Sequence, residues 1–170
     1  IDTQSDKVDA FGSAVKVNNN EYYVVMLEGT EYSFYRQQFS LAHELGHWLM
    51  HESCKSPQDM GAIEYKQMED EANEFAAEFL LPMDSFKASL IGYENDLEYY
   101  RYLKRIWQVS ISMMIMRAKS LNIIDSNEYT NLYKKLSYRG WRKNEPLDST
   151  KLISNPLSLK QSVELLVENR

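Results

Sequence analysis

The strongest constraint on this chain is the run Phe39-Ser-Leu-Ala-His43-Glu44-Leu-Gly-His47-Trp-Leu-Met-His51, a His-Glu-x-x-His motif in an amphipathic helical pattern. A helix turns about 100° and rises about 1.5 Å per residue, so His43 and His47 share one face, one turn apart. Two imidazoles so placed can reach one tetrahedral Zn²⁺. Glu44, about 100° round from His43, can reach a water beside the ion rather than the ion itself. An ion that acidifies water, next to a carboxylate that takes its proton, is the chemistry of hydrolysis at neutral pH. The bland alternative is two surface histidines beside a solvated glutamate. Leu41, Ala42, Leu45, Gly46, Trp48 and Leu49 argue against it: they predict a largely buried helix, and a buried polar pair needs partners.

A hydrolytic zinc site takes a third protein ligand and keeps one position open. His51 lies about 12 Å beyond His43 along the same helix axis, too far to bind the same ion. It is expected to support the site or the helix C-terminus, where a cation is favoured. The next helical stretch runs from Glu64 to Leu81, where Pro82 stops it. Stepping about 100° per residue from Glu69, Ala72, Ala76 and Leu80 fall within roughly 60° of it, whereas Glu71, Glu74 and Glu78 gather on the opposite side. That acidic stripe reads as a solvated face. Glu69 sits on the small-residue face, where this helix can approach the histidine helix closely. It is the expected third ligand, with Glu71 as the alternative.

The histidine segment, followed by Glu69-Asp-Glu-Ala-Asn-Glu-Phe-Ala-Ala-Glu-Phe-Leu-Leu-Pro82, resembles the ImmA/IrrE family of zinc metallopeptidases. The second motif is the more specific of the two. Val109-Ser-Ile-Ser, Arg117-Ala-Lys-Ser-Leu and Arg139-Gly-Trp-Arg-Lys-Asn-Glu-Pro146 extend the resemblance across residues 12 to 147. It implies that His43, His47 and Glu69 bind Zn²⁺ and that Glu44 is the general base. It further implies a protein substrate, a helix-turn-helix transcriptional repressor, whose cleavage relieves repression of mobile-element or stress genes.

With 170 residues, 44% of them hydrophobic and 26% charged, the chain can bury a real core as one domain, or as a domain with a small appendage. Its single cysteine, Cys54, excludes an internal disulfide framework and fits a reducing compartment. No apolar run has the length of a membrane span, and nothing at the start reads as a secretory signal. A cytoplasmic location is therefore expected. Because the chain begins at Ile1, an N-terminal domain upstream is also expected to be missing. The net charge of −6 disfavours general nucleic-acid affinity, which rests on phosphate neutralisation. Lys134, Lys135, Arg139, Arg142 and Lys143 read as a solvated basic loop.

The expected fold class is α+β: a mainly helical, zincin-like metallopeptidase domain with a small antiparallel β-sheet near the N-terminus, followed by a helical, helix-turn-helix-like region. Residues 1–82 would form the metallopeptidase core and residues 83–170 a helical region packed on it. Ser13 to Val17 and Tyr22 to Leu27 predict a hairpin turned at Asn18-Asn19-Asn20, and Tyr32 to Tyr35 a third strand. Its edge could accept an extended substrate segment. Asp84 and Ser85 are expected to cap a helix over Phe86 to Leu90, and Asp96 to open another carrying Leu97, Tyr100, Leu103 or Lys104, and Trp107. Ser110 would cap a Met-rich helix that resembles the second helix of a helix-turn-helix. Helices from Ser126 to Leu136 and from Leu157 to Val167 complete the pattern. Oxyanion stabilisation is left among Arg117, His51 and Tyr65. The rival to a protease is a non-cleaving antirepressor, or a metal-sensing module that binds a repressor or DNA.

Overall fold

The chain segment Phe34–His51, helix α1, contains no proline and no β-branched residue, so nothing in it opposes helix formation except Gly46. The structure, a computed structural model, describes residues 10–17, 20–27, 33–51 and 60–151. Strands β1 (Ala10–Val17) and β2 (Asn20–Leu27) precede α1 and pair antiparallel, with Gly12 opposite Val25 and Ala14 opposite Tyr23. Along β2, Tyr22, Val24 and Met26 are exposed while Tyr23, Val25 and Leu27 are half-buried. This is the two-residue alternation of a strand with one covered face. Both strands pack on α1. The expected third strand is not formed: Phe34 and Tyr35 are the opening residues of α1, and Tyr32 lies outside the described residues. Aromatic residues that suit a strand here satisfy their backbone within the helix instead.

Helix α2 (Ala62–Leu80) packs along α1 through its small-residue face, where Ala72 and Ala76 are fully buried. Gly46 provides the facing gap. A Cβ there would stand 2.9 Å from Phe75 Cδ1 and 3.4 Å from Ala72 Cα, so any side chain would push the helices apart. In compensation α1 tolerates a glycine that costs a free-standing helix about 1 kcal/mol. The expectation that α1 is largely buried needs correcting. Ala42 and Gly46 are buried, but Leu41, Trp48 and Leu49 are exposed, because α2 and the hairpin cover only part of its circumference.

Pro82 ends this unit and caps α3 (Met83–Leu90), so Asp84 and Ser85 lie within the first turn rather than at the cap. Helices α4 (Leu97–Trp107), α5 (Ile111–Ser120) and α6 (Ser126–Tyr138) follow. Their starts are set by side-chain caps: Asp96 accepts from Glu98 N, Ser110 from Met113 N, and Asp125 forms a reciprocal capping box with Glu128. Leu81, Phe86, Tyr100, Ile115 and Leu136 are fully buried in one cluster that α3 to α6 share, and Phe39 of α1 packs against it. Helix α5 lies at its centre. Ile111, Met113, Met114, Ile115, Arg117 and Ala118 are all buried, so most of the segment that resembles a recognition helix is committed to the core, with Met116 and Ser120 exposed.

A buried ionic knot joins this cluster to α1. Lys104, fully buried, donates to Glu145 at 2.8 Å and to Asp148 at 2.6 Å. Glu145 also accepts from Ile111 N and Ser112 N at the start of α5. The ammonium lies 4.4 Å from the Tyr35 ring centroid, and the Arg36 guanidinium donates to the Arg142 carbonyl. The basic group is also engaged: Arg139 pairs with Glu98, and Lys135 donates to the Asn95 carbonyl. Among the described residues no helix is long and apolar enough to cross a membrane. Cys54 and the expected helix from Leu157 to Val167 lie outside the described residues.

Candidate metal centre

Close packing of α1 on α2 brings His43, His47 and Glu69 together, with one ligand atom from each within 4.8 Å of the others. His43 Nε2 lies 3.4 Å from Glu69 Oε2, His47 Nε2 lies 3.4 Å from Glu69 Oε1, and the two Nε2 atoms are 2.9 Å apart. Bonds of about 2.0–2.1 Å to a tetrahedral zinc imply donor separations of about 3.3–3.4 Å. Each histidine meets that edge length to one Glu69 oxygen, His43 to Oε2 and His47 to Oε1, and the separation between the two imidazoles is shorter.

Hydrogen bonds on the far side of each ring show what the near side must do. His43 Nδ1 lies 3.1 Å from Asn73 Oδ1, an acceptor, so Nδ1 donates there and Nε2 is the nitrogen turned towards His47 and Glu69. His47 Nδ1 lies 3.1 Å from His51 Nδ1, and His51 Nε2 lies 3.0 Å from Glu71 Oε2. Running from the carboxylate inward, His51 donates to Glu71 and His47 donates to His51, which leaves the His47 Nε2 lone pair facing His43 Nε2. Burial and the neighbouring His43 hold His47 below the usual histidine range and so keep it neutral. Two ring nitrogens 2.9 Å apart need a proton or a metal cation between them. The donor set, two imidazoles and a carboxylate, fits zinc.

The same network places the other carboxylates. Glu71, the alternative ligand, is on the outer side of His51 and is held below the usual carboxylate range by its hydrogen bonds from Gln67 and His51. His51 thus orients His47, the arrangement by which an outer partner fixes a ligand's tautomer. Glu78, in the exposed stripe, pairs with Arg117. Arg117 also donates to the Leu81 carbonyl at 3.1 Å, so it ties α5 to the end of α2 and is not a group of this site. Tyr65, one turn before Glu69, hydrogen-bonds Glu69 and is pushed up by burial and by the Glu69 and Glu44 charges.

Glu44 is buried, and its carboxyl is raised above the usual range, first by desolvation; the nearby Glu69 charge adds to this, while His43, Tyr23 and the Gly12 backbone oppose it. Its partners come from the hairpin. The Tyr23 hydroxyl donates to Glu44 Oε2 at 3.4 Å, and the Gly12 backbone supplies a second hydrogen bond. Burial and the Glu44 charge keep Tyr23 protonated. Sequence reasoning missed both residues. With 12 tyrosines in the chain, the usable signal was strand alternation, which puts Tyr23 rather than Tyr22 on the face towards α1.

Comparison with known proteins follows this geometry. The family model described as Peptidase_M78, IrrE N-terminal-like domain, matches residues 1–119, a span that runs through the hairpin, α1, α2 and most of α5. No curated protein and no solved structure matches the chain.

Proposed function

The chain belongs to the Peptidase_M78 family, and from that premise we propose that it is a zinc-dependent endopeptidase acting in the cytoplasm on a helix-turn-helix transcriptional repressor. The observation that carries the hydrolytic reading is the convergence of His43 Nε2, His47 Nε2 and the Glu69 carboxylate, with the buried carboxylate of Glu44 beside them. A zinc ion held by these three residues would acidify water and polarise a scissile carbonyl. The chain's own part is proton transfer. Glu44, buried beside the three ligands, accepts a proton from the attacking water and returns it to the leaving amine. A site serving structure alone has no use for a base there and closes its fourth position.

The repressor as substrate rests on the resemblance of the two helical motifs, and an extended substrate segment is accommodated by adding a strand to the hairpin's edge. The test pairs elemental analysis with cleavage. Wild-type protein should hold about one zinc per chain and cut a purified helix-turn-helix repressor at a defined bond found by mass spectrometry. Glu44→Gln should keep the metal and the repressor binding while losing cleavage by about 10²–10⁴-fold. Equal derepression by wild type and Glu44→Gln would establish the non-cleaving antirepressor instead.

A further inference from the structure

Resting on the proteolytic reading, we propose that Tyr23 and the main-chain N–H of Gly12 are the positioning groups of the general base, so that the hairpin and α1 together aim the Glu44 carboxylate. Two hydrogen bonds converge on this carboxylate, and a ring contact holds one of their donors. The Tyr23 hydroxyl donates to Oε2 at 3.4 Å, and Gly12 adds its backbone hydrogen bond. The Tyr23 ring is itself held, stacked on Trp48 with centroids 5.6 Å apart and planes 11° from parallel. Trp48 lies four residues after Glu44, on the same side of α1. One helix therefore carries both the base and the indole that fixes the base's hydrogen-bond donor.

Gly12 makes the approach possible. A Cβ at this position would stand 2.5 Å from Glu44 Oε2 and closer still to the Tyr23 hydroxyl. The space that any other residue would fill is thus shared by the phenol and the carboxylate. A glutamate with only its helix to hold it keeps rotamer freedom about χ2 and χ3, and a base acts only when aimed at its proton. Two donors from a second element remove that freedom. The 3.4 Å separation is long for an O–H···O bond, as such bonds are before a substrate closes the site. Tyr23 acts through Glu44 and not on the reacting atoms, which makes it a positioning residue.

The experiment uses the zinc-loaded full chain and a proteome-derived peptide library, with kinetics on the fastest-cut peptide. Tyr23→Phe should lower kcat about tenfold, a fraction of what a base supplies, with KM, zinc content and thermal midpoint unchanged. In a Glu44→Gln background the same change should have no further effect. An unchanged kcat in Tyr23→Phe, or a full tenfold loss in the Glu44→Gln background, overturns the proposal. Amide exchange gives a readout independent of turnover: Gly12 N–H should be protected in the wild type and exchange faster in Glu44→Ala, while the neighbouring ladder amides stay as they are. Gly12 exchange indifferent to Glu44→Ala also overturns it. A wild type that cuts no peptide, yet shows Gly12 protection dependent on Glu44, refutes the proteolytic reading and supports the positioning.

Discussion

Where α1 meets α2 and the hairpin, the buried positions are Ala42, Gly46, Ala72, Ala76 and the charged Glu44, whereas α3 to α6 bury Phe86, Tyr100, Ile115, Leu132 and Leu136. The first region is built for close approach. Small residues let two helices touch, so that two histidines and a carboxylate from different elements face one point. The second region is built for burial, and apolar area removed from water stabilises by about 25 cal/mol per Å². A site with crowded imidazoles and a desolvated carboxylate costs stability in the metal-free chain, so the density of the neighbouring helical cluster is what supports it. The Lys104 knot, reaching Tyr35 of α1, is where the two regions are joined.

The sharpest way to break this division is to remove a ligand. Glu69→Ala should drop zinc from about one per chain to near zero with little change in the metal-free melting temperature. Glu71→Ala, which frees His51, should weaken zinc by only about 10- to 100-fold; elemental analysis and competition with a chelator read both. Lys104→Ala tests the joint. It strands Glu145 and Asp148 beside the core and should cost roughly 3–5 kcal/mol in denaturant unfolding. Loss of zinc affinity in its folded fraction would mean that the two regions are coupled more tightly than this contrast allows.

Smaller effects sharpen the same contrast. Ile115→Ala should cost roughly 2–5 kcal/mol by opening a cavity, while the folded protein retains its zinc and its kcat. Asp125→Ala, which removes the capping box of α6, should cost about 1 kcal/mol and leave the site untouched by the same measures. Glu44→Gln should give the smallest change in stability and in the opposite direction. Because burial raises the Glu44 pKa, its contribution favours the fold when protonated and is lost as pH rises through the folded-state value. The metal-free variant should therefore melt slightly above wild type near pH 7, the difference closing as the pH falls.

Helical spacing alone carried His43, His47, Glu44 and Glu69 a long way, because 3.6-residue periodicity is local and each of these residues shares a helix face with a diagnostic neighbour. The small-residue face of α2 was legible for the same reason: Ala72 and Ala76 advertise a close approach before any partner is known. The start of α4 at Asp96 and of α5 at Ser110 followed from cap chemistry within three residues. Reasoning failed where a residue's environment is supplied by distant chain. Phe34 and Tyr35 suited a strand but open α1, and Leu41, Trp48 and Leu49 implied burial that two covering elements do not supply. Arg117 looked available for an oxyanion and is instead bound to Glu78 and the Leu81 carbonyl.

The sequence by itself determined which side chains share a helix face and where the α4 and α5 helices begin, since both are properties of a few consecutive residues. Only the tertiary structure decided how Glu71 differs from Glu69, one holding His51 and the other closing the ligand group. It also decided that a tyrosine and a glycine from a hairpin more than twenty residues upstream hydrogen-bond the Glu44 carboxylate, and that Lys104 is a buried ion rather than a surface one. These are matters of which groups from separate elements come within about 3 Å of each other, and no periodicity within one element encodes that distance.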